Sequence, residues 1–150
     1  MSVKTVEGIE DKEDLDKKVP AFSHHFCSPD LNASGFYNTV AGLPFMGKVQ
    51  VPASKINRAV TFLQMPRNIE STPNNKHIDT ETPHIVFLYY VVDSDGDTFM
   101  YSQDKNDETI TQRIQPKKNR AVIFDGSIYH ASSAPQFNRR CVINFNLMPY

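Results

Sequence analysis

Residues 139–147 run Arg-Arg-Cys-Val-Ile-Asn-Phe-Asn-Leu, and on an extended backbone they sort into two faces. Arg140, Val142, Asn144 and Asn146 fall on one side, with Cys141, Ile143, Phe145 and Leu147 on the other. A packed core accepts the second face but not the first, because each buried polar group without a partner costs about 1–3 kcal/mol. The chain must therefore fold so that the mostly polar face has something to contact. A barrel or jelly roll whose interior holds a ligand meets that condition.

The rest of the chain after Pro20 has the same texture. Short β-branched and aromatic runs are separated by Pro, Gly, Asn and Asp, the pattern of an antiparallel all-β domain. Strands are expected over 21–27, 56–65, 84–92, 97–101, 109–115, 120–124 and 139–147, with one or two short helices at most. Gly42, Pro44, Gly47 and Pro52 punctuate the long connection where such a helix would sit. A length of 150 residues suits one domain. We expect it over 20–150, preceded by a charged arm over 1–19, where too little apolar surface is available to bury.

A net charge of -1 offers no field that would draw the chain to nucleic acid or an anionic membrane. Neither a basic groove nor a stacking platform speaks for nucleic acid. The two cysteines, Cys27 and Cys141, form no disulfide framework, and no apolar N-terminal segment resembles a signal peptide or membrane span. A cytoplasmic protein with free thiols is the expectation.

His77-Ile78-Asp79 stands just before the most apolar run in the chain. Residues i and i+2 of an extended segment point the same way, so His77 and Asp79 can reach one metal ion while Ile78 turns toward the core. An H-x-D pair is common by chance, so a third ligand is needed. The best candidate is His130, which follows a strand ending at Asp125-Gly126, where a turn would present side chains at a cavity mouth. Arg140 opens the last strand. A guanidinium near such a metal suits a dicarboxylate that chelates the ion with one end and is gripped by the cation at the other.

His77-Ile78-Asp79, the Tyr129-His130 pair and the run from Arg139 to Leu147 together resemble the iron(II)- and 2-oxoglutarate-dependent oxygenases. In that family H-x-D/E is followed by a distal His, and about ten residues later by Arg or Lys. The resemblance covers Ile56 to Leu147. It is closest to small oxygenases of marine viruses and bacteria, which share strings such as HxDT, LYYV, DGDTF and RRVxINFN. It implies a double-stranded β-helix, with His77, Asp79 and His130 as catalytic iron ligands and Arg140 as partner of the 2-oxoglutarate C5 carboxylate. Arg139 is the rival for that last role, since a one-residue slip would exchange them. Tyr90 is implied as a second contact to the same carboxylate. The implied chemistry consumes Fe(II), 2-oxoglutarate and O2, with ascorbate as a stimulant, and hydroxylates a small-molecule or peptidyl substrate. Helices that usually buttress the major sheet in this family are scarce here.

Two other classes remain open at this stage. A cupin-like protein could hold a metal or small ligand without turnover. A zinc-dependent hydrolase on the same three ligands would leave Arg140 without a task. Other features have ordinary explanations. His24 and His25 point to opposite faces of a strand, and His84, a competing candidate for a metal ligand, is expected at a strand end. Asp93 to Asp97 has its glycine at the wrong place for a calcium loop and is expected to form a turn. Lys117, Lys118 and Arg120 are expected in a solvated turn, with contact to an anionic substrate as the alternative. Either Asn57 or Arg58 must face inward from its strand, with an edge hydrogen bond or ion pair as the expected role.

Overall fold

The computed structural model describes residues 21–29, 34–43, 52–67, 70 and 72–149. The expected arm over 1–19 lies outside them. Among the described residues eight strands form in chain order: β1 (Ala21–Cys27), β2 (Ile56–Gln64), β3 (Ile85–Tyr90), β4 (Thr98–Tyr101), β5 (Ile110–Ile114), β6 (Ala121–Asp125), β7 (His130–Ser132) and β8 (Arg140–Leu147). One helical turn, α1 (Tyr37–Ala41), and a 3-10 turn (Ala53–Lys55) sit between β1 and β2. The seven expected strands are present with ends shifted by at most two residues; β7 was not expected.

The strands make two antiparallel sheets. The larger has the order β1-β2-β8-β3-β6, and the smaller β5-β4-β7. From β3 onward the chain passes from the large sheet to the small one, back at β6, over again at β7 and back at β8. This is the double-stranded β-helix, a jelly-roll-like distorted barrel.

The two faces of β8 meet different surroundings, as their chemistry requires. Ile143, Phe145 and Leu147 pack outward with Phe87, Ile56, Ala59 and Phe26. Phe87 and Phe145 are cross-strand partners with ring centroids 5.7 Å apart, edge to face. Val40 of α1 covers this cluster, and with no side-chain cap on so short a helix, packing is what holds α1 in place. Among the described residues α1 is the only α-helix against that face, and no helix is long and apolar enough to cross a membrane.

Between the sheets, Val86, Leu88, Tyr90, Met100, Ile114 and Val142 fill part of the interior. The remainder is a cavity. In the turn after β6, Gly126 donates its N–H to the His84 carbonyl at 2.9 Å. A Cβ at Gly126 would lie 2.2 Å from the His84 ring, which is buried and fixed by Nδ1 on the Thr82 carbonyl at 2.7 Å. Gly126→Ala is therefore expected to destabilise the fold by about 1–3 kcal/mol, the usual range for overpacking, measurable in a denaturant titration.

Candidate active site

His77 precedes β3 on a segment that extends the small sheet past β7. His77 and His130 exchange both backbone hydrogen bonds, at 3.0 and 2.9 Å, as a closely paired antiparallel bridge. That pairing sets the two side chains beside each other, with ring centroids 4.7 Å apart. Lys76 anchors the segment from the outer side: Nζ donates to the Asp107 carbonyl at 2.7 Å, pairs with Glu108 at 2.9 Å and lies over the Tyr101 and Tyr129 rings.

Asp79 completes the group. One ligand atom from each of His77, Asp79 and His130 lies within 4.8 Å of the others. Each imidazole has Nδ1 on a carbonyl two residues back, Asn75 at 3.4 Å and Ile128 at 3.1 Å. A carbonyl only accepts, so Nδ1 carries the proton and Nε2 keeps its lone pair for the cluster. Burial pushes His130 below the ordinary imidazole value, with the Ile128 carbonyl partly offsetting it, which favours the neutral ligand form. Asp79 divides its oxygens: Oδ2 accepts from Asn144 Nδ2 at 2.9 Å, while Oδ1 faces His77 Nε2 at 3.9 Å. Two neutral imidazoles and one carboxylate fit a divalent first-row metal and leave part of its coordination sphere for other ligands.

At the far end of the same cavity lies Arg140, 4% exposed. Nε donates to the Gly96 carbonyl at 3.1 Å, Nη1 to Gln64 Oε1 at 3.1 Å and Nη2 to Thr98 Oγ1 at 3.0 Å. Every acceptor is neutral. Burial lowers its pKa to about 10, so it remains a cation at neutral pH. One N–H on each Nη is left over for a ligand. Gly96 is required there, since a Cβ would meet backbone atoms of Ser133 and Pro135 at 2.9 and 3.0 Å and the Arg140 side chain at 3.2 Å.

Thr98 lines the cavity beside that guanidinium. Its Oγ1 accepts from both Arg140 and the Tyr90 hydroxyl, the latter at 2.9 Å, so its own O–H is free to donate into the cavity. Tyr90 is fully buried behind Thr98, and burial raises its phenol pKa, keeping the donating proton in place. The cavity measures about 370 Å³, and its apolar wall includes Phe62, Val86, Leu88 and Phe124.

His77, Asp79, His130 and Arg140 thus meet in one cavity, with Tyr90 one hydrogen bond behind its lining. Arg139 is exposed. Ile78 lines the cavity instead of joining a core cluster. His84 stands apart from the cluster, and His24 contacts Ser34 and Phe26 on the outer side. Asp93 and Asp95 accept backbone N–H groups of Lys118 and of Gln136, Phe137 and Asn138, as turn carboxylates do. Cys27 and Cys141 are free.

Sequence reasoning missed Asn144, Gln64 and Thr98 and set Arg58 aside. Asn144 was legible as inward-facing, but its hold on Asp79 was not. Asn144→Leu keeps the volume and removes the donor to Oδ2. Metal affinity, read by competition with a chelator, is expected to fall about 10–100-fold, the usual cost of losing a group that orients a ligand.

No protein-family profile and no curated protein sequence matches the chain. Solved structures do share its fold. An oxidoreductase of the 2OG-Fe(II) oxygenase family from Burkholderia pseudomallei superposes with a TM-score of 0.62 at 11% identity, over 89% of this chain and 74% of that one. A prolyl-4-hydroxylase from Pseudomonas putida gives a TM-score of 0.52 at 11% identity, over 89% of this chain and 72% of its own. At such identity the likeness is one of fold, and the chemistry must be argued from the site.

Proposed function

We propose that the protein is an iron(II)- and 2-oxoglutarate-dependent dioxygenase that hydroxylates a small-molecule or peptidyl substrate. One observation carries this reading: a single cavity has a His-Asp-His cluster at one end and a buried guanidinium with only neutral hydrogen-bond partners at the other. Such a cation is costly to bury and calls for an anion. Arg140 lies four residues along β8 from Asn144, the neighbour of Asp79, roughly 13 Å of strand. An extended five-carbon diacid is the proposed occupant of the cavity between the two ends.

In this reading His77, Asp79 and His130 hold the metal, with Asn144 fixing the carboxylate and the Asn75 and Ile128 carbonyls fixing the imidazoles. Ferrous iron bound there supplies dioxygen activation, coupled to oxidative decarboxylation of 2-oxoglutarate to succinate and carbon dioxide. Arg140 and the Thr98 hydroxyl, oriented by Tyr90, grip the distal carboxylate of the co-substrate. Phe62, Val86, Leu88 and Phe124 keep the wall between the two ends dry, which strengthens both sets of polar contacts.

The test is succinate release from 2-oxoglutarate by anaerobically purified protein given Fe(II), ascorbate and oxygen, screened with metabolites and peptides. Slow basal release that rises with one substrate class is expected. Tight iron and 2-oxoglutarate binding with no succinate under any condition would instead identify a metal- and ligand-binding protein without turnover.

A further inference from the structure

The inward face of β2 presents Arg58, Val60, Phe62 and Gln64 in turn. Gln64 belongs to the Arg140 end of the cavity, and Arg58 lies on the other side of the metal cluster. The Arg58 side chain is 24% exposed, and its Nη1 is 3.7 Å from Asp79 Oδ1, the oxygen that faces His77. That separation is an ion pair without a hydrogen bond, and Arg58 makes no side-chain hydrogen bond among the described residues. A three-quarters buried arginine side chain therefore borders the cavity, its donors without a hydrogen bond among the described residues.

The charge balance of the cavity gives Arg58 a task. Among the described residues its lining holds two guanidiniums, Arg58 and Arg140, and a single carboxylate, Asp79. With a divalent ion on two neutral imidazoles and Asp79, and a doubly charged co-substrate on Arg140, one positive charge is left unbalanced. That charge is on Arg58, because Oδ1 of Asp79 faces the metal. In a pocket walled by Phe62, Val86, Leu88 and Phe124, an unbalanced cation attracts an anion strongly.

We infer that Arg58 forms an oxyanion subsite at the cavity rim, so that the substrate carries a carboxylate or phosphate close to the bond to be oxidised. The inference rests on the dioxygenase reading of the same cavity. It assigns Arg58 to substrate recognition, in contrast to a role in orienting Asp79, which Asn144 already holds through the other oxygen.

The test uses the full chain loaded with Mn(II) and 2-oxoglutarate, in which the manganese broadens the NMR signals of molecules bound nearby. Two matched pairs serve as probes: N-acetylglycine against its amide, and glycerol 3-phosphate against glycerol. The anionic member of at least one pair is expected to be broadened about tenfold more than its neutral partner, the scale of one charge-assisted hydrogen bond. Which pair responds distinguishes carboxylate from phosphate. Arg58→Gln is expected to abolish the difference and Arg58→Lys to retain part of it, with Mn(II) affinity no weaker in either variant. Equal broadening of charged and neutral probes on a protein that binds both manganese and 2-oxoglutarate overturns the inference alone. Loss of Mn(II) affinity in Arg58→Gln, with no discrimination in wild type, makes Arg58 a positioning residue for Asp79 and also overturns it. Failure of the wild-type protein to bind metal and 2-oxoglutarate overturns the parent reading, and this inference with it.

Discussion

His130→Ala and Asp79→Ala are expected to abolish the proposed iron binding, with a loss of at least about a hundredfold in affinity, more than the removal of an orienting neighbour costs. The two variants differ in what they leave behind. The His130 side chain is removable without breaking the backbone bridge to His77, since both hydrogen bonds of that bridge are main-chain. The fold of His130→Ala should therefore persist, and the binding loss can be assigned to the ligand. Asp79→Ala also strands Asn144 Nδ2 and leaves Arg58 without its ion pair, so some thermal stability should go as well. Asp79→Asn separates the effects: it keeps the shape and loses the charge. It should melt close to wild type and still fail to bind iron in an anaerobic titration against a chelator. Wild-type iron affinity in His130→Ala would remove the metal centre from the interpretation.

The His77-Asp79 pair and most strands were legible in the sequence because they depend on short-range geometry. Alternation over Arg140 to Leu147 is a property of the strand alone, and it correctly divided the outward Phe145 from the inward Asn144. The i, i+2 spacing that joins His77 to Asp79 is equally local. β7 escaped because three residues, His130 to Ser132, hold no β-branched residue and no alternation to detect. Its position in the small sheet is decided by β4, which pairs Met100 with His130 and Thr98 with Ser132.

The missed site residues depend on register between distant strands. Gln64 reaches Arg140 because β2 and β8 pair those two residues directly, 76 positions apart in sequence. A shift of one residue in that pairing would turn Gln64 outward and the guanidinium would lose an acceptor. Thr98 reaches Arg140 across the gap between the two sheets, a distance that no strand pattern encodes. Tyr90 shows the same limit: the family resemblance pointed to it, and only the packed interior decides that its hydroxyl ends on Thr98 short of the cavity.

Arg140→Met should raise the 2-oxoglutarate requirement about a hundredfold while leaving iron affinity near wild type. Truncating one partner of a buried charge pair costs about 2–5 kcal/mol, and the co-substrate's distal carboxylate would be the stranded partner. Stability offers the sharper readout. The Arg140 guanidinium is desolvated in full against a carbonyl, an amide and a hydroxyl, so without an anion its burial is a net burden on the fold. Replacement by a long apolar side chain should therefore leave the melting temperature of the ligand-free protein unchanged or higher. Wild type should gain about 2.7 kcal/mol of stability from 2-oxoglutarate supplied with metal at a hundred times its dissociation constant, and Arg140→Met should gain almost none at that concentration. Arg140→Lys keeps the charge but presents a point donor where the fork now serves Gly96, Gln64 and Thr98 together, so its co-substrate affinity should fall between the two. If Arg140→Met is stabilised by 2-oxoglutarate as strongly as wild type, the distal carboxylate binds elsewhere and the cation is buried for another reason.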